Sequence, residues 1–134
     1  MYLVLFDKIY KQVALFVFME ECIFCRIAEG LVGNKEDFIY ENDNFFSVFD
    51  IKQEAKGHAL VISKKHFDNT LELPVSLGTE LLDAIKNVVS KSFKDKSVEG
   101  FNVIGNNFPV AGQVINHFHV HILPRRRDDG IKFV

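Results

Sequence analysis

The stretch that most restricts the fold lies near the end of the chain: Ile115-Asn116-His117-Phe118-His119-Val120-His121-Ile122-Leu123-Pro124. Three histidines alternate there with Phe118 and Val120. A repeat of two is the period of a β-strand, which puts the imidazoles on one face and the apolar residues on the other. Same-face neighbours on a strand stand roughly 6.5–7 Å apart, close enough to act on one ligand. A lone strand histidine is ordinarily a satisfied, half-buried residue, but three at i, i+2 and i+4 lack that explanation. Charging all three would set like charges against one another, so some are neutral at pH 7. A neutral imidazole is a nucleophile, a base or a metal ligand. The only other histidines, His58 and His66, lie in one short upstream segment.

At 134 residues the chain suits one domain, and 48% hydrophobic content is enough for a real core. A net charge of −2 and a pI near 6.2 argue against a protein that binds nucleic acid through its field. Cys22 and Cys25 are the only cysteines and stand too close to staple a fold, so a secreted disulfide scaffold is not supported. A metal or redox role in a cytoplasmic protein is the more natural reading. Residues 1–19 are strongly apolar, yet Asp7, Lys8 and Lys11 interrupt them. Their longest uninterrupted run, Val13 to Met19, is far short of the ~20 residues a membrane span needs. Lys8 and Lys11 precede that run as in a signal peptide, but Phe-Val-Phe-Met-Glu is no small-residue cleavage site. The segment is read as an N-terminal extension packed on a domain of residues 20–134. A dimer contact and a start codon read too far upstream are the alternatives.

The rest of the chain divides into short elements. Glu20 to Glu29 reads as a helix, with Ile23, Phe24 and Ile27 in helical spacing and Gly30 as its stop. Residues 31–37 are loop. Phe38 to Glu41 and Phe45 to Asp50 flank the turn cluster Asn42-Asp43-Asn44, which predicts a hairpin. His58 to Ile62 is a third strand. Pro74 to Asp95 is a long helix with Ser76 as N-cap and an apolar stripe of Leu77, Leu81, Leu82, Ile85, Val88, Val89 and Phe93. Its C-terminal lysines, Lys86, Lys91, Lys94 and Lys96, suit the helix dipole and read as a solvated face. Gly100 to Gly105 is a fourth strand. Val114 to Leu123 is a fifth, stopped by Pro124. The expected fold class is α+β, a five-stranded antiparallel sheet with one long and one short helix.

Cys22-Ile23-Phe24-Cys25 alone is a weak signal, compatible with thiol redox chemistry, half a zinc site or two buried thiols. No βαβ pattern surrounds it, which counts against redox. Zinc needs four ligands, and a Cys₂His₂ set drawing on His66 and one strand histidine would tie the short helix to the sheet. Free thiols remain the alternative. Asn106, Asn107, Gly112 and Gln113 precede the histidine strand; they suit a phosphate or ribose contact, or only an ordinary loop.

Gly112-Gln113-Val114-Ile115-Asn116-His117-Phe118-His119-Val120-His121-Ile122-Leu123-Pro124-Arg125 resembles the signature of the histidine triad (HIT) superfamily, His-φ-His-φ-His-φ-φ with φ apolar. Further pieces resemble it in the same order: Cys22 to Ile27, Phe49-Asp50-Ile51, Gly57 to Ile62, and Lys64-Lys65-His66. The resemblance covers about residues 20–127 and is closest to the small nucleotide-binding branch typical of bacteria. It implies that His119 is a nucleophile toward the α-phosphorus of a nucleotide, forming a nucleotidyl-histidine that water hydrolyses. It implies that His121 contacts the phosphate, that His58 orients the nucleophile, and that Asn106, Gly112, Gln113 and the backbone at Val114 hold the phosphate. Asp50 would take the ribose hydroxyls, and Ile23, Phe24, Ile27, Val48 and Ile51 would form a purine slot. Cys22, Cys25, His66 and His117 would bind a structural zinc, catalysis would need no metal, and the chain would pair as a homodimer.

Two departures stand out. A hydroxyl is common where this chain has Val114, so protonation of an amine leaving group is expected to be less assisted. The Ile-Pro usual after the first helix is replaced by Leu31-Val32-Gly33-Asn34. The expected function is hydrolysis of purine nucleoside phosphoramidates to the monophosphate. The alternatives are a dinucleoside polyphosphate hydrolase, a nucleotide-binding module with little turnover, and a plain zinc protein whose strand histidines are all ligands.

Overall fold

The computed structural model of the chain describes residues 22–132. The expected N-terminal extension, residues 1–19, and the first two residues of the expected short helix lie outside the described residues. Five antiparallel strands form one sheet in the order β1-β2-β3-β5-β4. These are β1 (Tyr40–Glu41), β2 (Phe45–Phe49), β3 (Ala59–Ser63), β4 (Gly100–Ile104) and β5 (His119–Arg125). A short helix, α1 (Ile23–Ala28), and a long one, α2 (Gly78–Ser92), complete the α+β fold. The predicted hairpin is present. Asn42 Oδ1 accepts the N–H groups of Asn44 and Phe45 at 3.1 and 2.9 Å, closing the turn between β1 and β2 with its own side chain.

β3 is the central strand, and all five of its residues are buried. A strand covered on both faces needs a continuous apolar run rather than alternation, which Ala59-Leu60-Val61-Ile62 supplies. One face carries Phe45, Ala59, Val61, Val120 and Ile122 against Ala84, Val88 and Val89 of α2. The other carries Phe46, Leu60 and Ile62 against Ile23 and Phe24 of α1. Register puts Leu60 opposite His121 and Ile62 opposite His119, so both histidines stand on the α1 face.

Several expected boundaries move, among them the first strand, which starts at Tyr40 and not Phe38, and the long helix, which ends at Ser92 and not Asp95. β5 begins only at His119, and residues 115–117 are bends, so His117 enters the α1 side from irregular backbone and not from the strand. Strand periodicity therefore governs His119 and His121 alone. Pro124 does not stop β5, which continues to Arg125; the last β5 residue paired with β3 is Ile122, so the missing Pro124 N–H forfeits no bond on that side. At α2, a 3₁₀ turn over Val75–Leu77 precedes the helix, Leu77 occupies the cap position and Ser76 caps nothing. Pro74, in extended backbone, caps the 3₁₀ turn that begins at Val75, which puts Ser76 inside that turn. Leu82 and Phe93 of the expected stripe are 57% and 40% exposed, because they lie roughly 100° or more around the helix from Leu81. Ala84 closes the buried arc instead. Lys91, one of the four lysines expected on a solvated face, bonds the Ile39 carbonyl and lies over the Tyr40 ring.

Candidate functional site

α1 is only six residues long and is held by its end and its apolar side. Gly30 takes φ +78°, Leu31 N–H returns to Arg26 O at 2.9 Å and Gly30 N–H to Ile27 O at 3.0 Å, a Schellman closure that needs glycine. This fixes Phe24, 2% exposed, with its ring edge-on to His119 at 5.1 Å and to His117 at 5.7 Å between centroids. Beside it opens a pocket of about 90 Å³ lined by Phe24, Asp50, Leu60, Asn106, Gly112, Val114, Ile115, His119 and His121.

The hydrogen bonds fix the tautomer of each imidazole. His119 Nδ1 lies 2.6 Å from the His117 carbonyl, which only accepts, so Nδ1 carries the proton and Nε2 keeps a free lone pair. Burial lowers the His119 pKa, outweighing that carbonyl and Asp50. His58 Nδ1 accepts the Glu54 N–H at 3.3 Å, and Asp50 Oδ2 lies 3.4 Å from His58 Nε2. The Glu54 N–H on Nδ1 and the Asp50 carboxylate beside Nε2 put the His58 proton on Nε2. That proton faces His121 Nδ1 at 2.9 Å, so His121 in turn carries its proton on Nε2. Burial, then His119 and His58, press the His121 pKa down to about 4. Asp50, His58 and His121 cluster within 4.8 Å, but His58 Nε2 and His121 Nδ1 are committed to one another. The pocket therefore holds one lone pair, on His119, beside an N–H donor, on His121.

A second cluster joins Cys22, Cys25, His66 and His117 within 4.8 Å. His117 Nε2 donates to Ser63 O at 2.7 Å, and His66 Nε2 to Asp68 Oδ1 at 2.7 Å. Both leave Nδ1 as an unprotonated acceptor, and the two acceptors face each other at 3.2 Å. Cys22 Sγ stands 3.2 Å and Cys25 Sγ 3.5 Å from His117 Nδ1, and Cys25 Sγ 3.4 Å from His66 Nδ1. A tetrahedral zinc with ordinary Zn–N and Zn–S bonds sets its donors roughly 3.3–3.8 Å apart, so the set fits such an ion. The carboxylate behind His66 and the carbonyl behind His117 are the outer partners that metal-bound histidines use. Both thiols are free of disulfide, and burial with Cys22 beside it pushes the Cys25 thiol up to about 12. Such a thiol ionises only against a cation, which disfavours a redox pair.

The residues singled out from sequence thus separate. Phe24, Asp50, Asn106, Gly112, Val114, His119 and His121 line the pocket, with His58 bonded behind His121. Ile23, Ile27 and Val48 pack in the apolar cluster around Phe24. Ile51 sits in a bend after β2 and Gln113 turns inward, and neither lines the pocket. The Gln113 amide is spent on the Phe108 N–H and on the carbonyls of Asp68 and Ile115. Leu60 and Ile115 line the pocket and were missed; the alternation His58, Leu60, Ile62 carried the signal for Leu60.

The family model described as the HIT domain matches residues 33–128. An uncharacterized HIT-like protein of Methanocaldococcus jannaschii is 38% identical over 114 residues, which cover 84% of this chain and 86% of that one. An adenosine 5'-monophosphoramidase of Schizosaccharomyces pombe is 33% identical over 108 residues, covering 81% and 77%. Among solved structures, a Zn-bound histidine triad family protein from Mycobacterium smegmatis superimposes with a TM-score of 0.77 at 29% identity, covering 85% and 81%.

Proposed function

The chain belongs to the HIT family, and on that footing we propose that it hydrolyses purine nucleoside phosphoramidates at the α-phosphorus through a nucleotidyl-histidine on His119. One observation carries the reading: His119 Nδ1 is tied to the His117 carbonyl, which leaves an unprotonated Nε2 in a pocket beside an N–H donor. In the first step the Nε2 lone pair attacks phosphorus. A bond from phosphorus to the imidazole forms, the bond to the amine breaks, and the amine departs with a proton from solvent while the neutral His121 Nε2–H hydrogen-bonds the phosphate. The imidazole gains positive charge, which its Nδ1–H shares with the His117 carbonyl. In the second step water attacks phosphorus and gives up a proton to solvent, the bond from phosphorus to the imidazole breaks, and the nucleoside monophosphate is released. Splitting one displacement into two lowers each barrier.

Asp50 is the group for the ribose hydroxyls, Asn106 with the Gly112–Val114 backbone for the phosphate, and Phe24 for the base. Cys22, Cys25, His66 and His117 would hold a structural zinc, which when bound ties α1 to the sheet and takes no part in the chemistry. A homodimer is supported by the apolar edge formed by Phe93, Phe101 and Val103, each 40–45% exposed. The relative from Schizosaccharomyces pombe, by its printed name, supports the substrate class.

Val114 favours a second reading, a nucleotide-binding module with little turnover, since its side chain cannot protonate a leaving group. Incubation with an adenosine phosphoramidate followed by intact-mass measurement separates the two. Turnover, a nucleotidyl adduct, and loss of both in His119→Ala by at least about a thousandfold support the hydrolase. Retained zinc in that variant excludes a triad made only of ligands. Binding with neither adduct nor product supports the module.

A further inference from the structure

Another cavity lies on the face of the sheet turned away from the histidines. It measures about 350 Å³, within the range of small-molecule sites. Its origin is one cross-strand row. Phe49 pairs with Ala59 and Ala59 with Ile122, so the three side chains line up on the α2 face. Ala59 is the short member and leaves a hollow between two large neighbours. α2 ends at Ser92, and only Val88, Lys91 and Ser92 from its C-terminal end reach the cavity, so the helix does not fill it. Ala59, Val88 and Ile122 are each 3% exposed or less and form the floor, whereas Phe49 is 55% exposed at the mouth.

The rim is polar and its charge is unbalanced. Among the described residues that line it, Lys56, Lys91 and Arg126 stand against one carboxylate, Asp95, an excess of two positive charges on a chain of net charge −2. Arg126 is engaged within the protein: its guanidinium donates to Asp95 Oδ2 at 2.9 Å, to Ser97 Oγ at 2.8 Å and to the Lys56 carbonyl at 2.9 Å. Those bonds fix the Lys56 backbone beside the mouth and occupy the planar fork that would favour a phosphate. Lys91 gives one donor to the Ile39 carbonyl and, with three on its ammonium, retains others. Lys56 is exposed. An aliphatic floor therefore lies under two ammonium groups, which is the complement of an apolar tail with one anionic head. The chain's own apolar segment, residues 1–19, carries Lys8 and Lys11 against Asp7 and would bring positive charge to a positive rim.

We propose that this cavity binds a straight-chain fatty carboxylate. At a water's share of roughly 30 Å³ per heavy atom, the space suits a chain of about ten carbons with its two oxygens. The tail lies on Ala59, Val88 and Ile122, and the head meets Lys56 and Lys91. The site stands apart from the histidine pocket and does not depend on the hydrolase reading.

Titration calorimetry on the full chain with decanoate, hexanoate and decylammonium tests it. Decanoate should bind once per chain. Hexanoate, four methylenes shorter, should bind at least about tenfold more weakly. Decylammonium keeps the tail and reverses the charge, and should also bind at least about tenfold more weakly than decanoate. Lys56→Gln and Lys91→Gln remove a charge while leaving a donor, and each should weaken decanoate about threefold, the pair together about tenfold. Decanoate should shift the methyl resonances of Ala59, Val88 and Ile122. No saturable binding of decanoate, or equal binding of the two ten-carbon amphiphiles, overturns the proposal. Methyl shifts confined to Ile23, Leu60 and Ile115 place the ligand on the α1 face and overturn it too.

Discussion

The free lone pair of His119 is set by a neighbour two residues away. The His117 carbonyl selects its tautomer, while the His117 ring points its own lone pair into the cysteine cluster. Adjacent imidazoles thereby take opposite jobs, one facing the pocket and one the metal set. Sequence spacing showed that these residues gather, but not which nitrogen each presents. The partners that decide it, Ser63 O, Glu54 N–H and Asp68, are backbone groups or side chains distant in sequence or hidden in turns. The buried imidazoles also set a pH dependence. His119 lies below the ordinary histidine value of 6.5, and His121 reaches about 4. Attack requires unprotonated His119, so kcat/KM should be level above pH 6.5 and fall only on the acid side of it. A half-point at 6.5 or higher in a pH–rate profile contradicts this. The stability effect has the same sign. An unfolded histidine takes up its proton near 6.5 and folded His121 only near 4, so the unfolded state binds more protons between those values. Stability is complete above pH 6.5 and declines as pH falls toward 4, by a contribution of order 3 kcal/mol from His121. Denaturant midpoints from pH 4 to 8 measure it.

Among the elements, the strands were more legible than the loops. The apolar run of β3 and the Asn42 turn carry local signals strong enough to predict a strand and a hairpin. The start of β5 was not legible, because His117 and Ile115 fit strand alternation equally well. Their backbone instead bends, letting His117 reach Cys22 and letting the Phe118 N–H reach Phe67 O at 2.6 Å. Tertiary partners overrode a local period there. β2 shows the converse, a residue that its element does not explain. Ser47 stands opposite Val61, fully buried on the α2 face, and its hydroxyl has no partner among the described residues. An unpaired buried hydroxyl costs its desolvation and returns no bond. Ser47→Ala should raise stability by about 1 kcal/mol and leave the pocket, on the opposite face of the sheet, unaffected. A lower denaturant midpoint in that variant would mean the hydroxyl is bonded after all.

At the scale of the whole molecule, one sheet separates two tasks. α2 and its face supply most of the core, while the α1 face holds the pocket and the cysteine–histidine cluster. α1 is too short to persist on propensity, since isolated helices under about 12 residues are marginal in water. Its anchors are Ile23 and Phe24 in the second apolar cluster, and Cys22 and Cys25 against His66 and His117. Cys22 meets His117 across 95 positions of chain, so an ion bound there would close most of the molecule into one loop. Binding to the folded state at a hundredfold above Kd adds about 2.7 kcal/mol, roughly a 10 °C rise in Tm for a domain of this size. Stripping zinc with a chelator should lower Tm by that order, and restoring zinc should recover it. The kinetic consequence is selective. Phe24 is carried by α1 and walls the pocket, whereas the His119 tautomer is set by the His117 carbonyl, which needs no ion. Metal removal should therefore raise KM for the nucleotide substrate several-fold and leave kcat nearly unchanged, with the His119 adduct still forming. A fall in kcat at constant KM would place the ion in the chemistry, and a Tm and KM both indifferent to chelation would remove it from the protein.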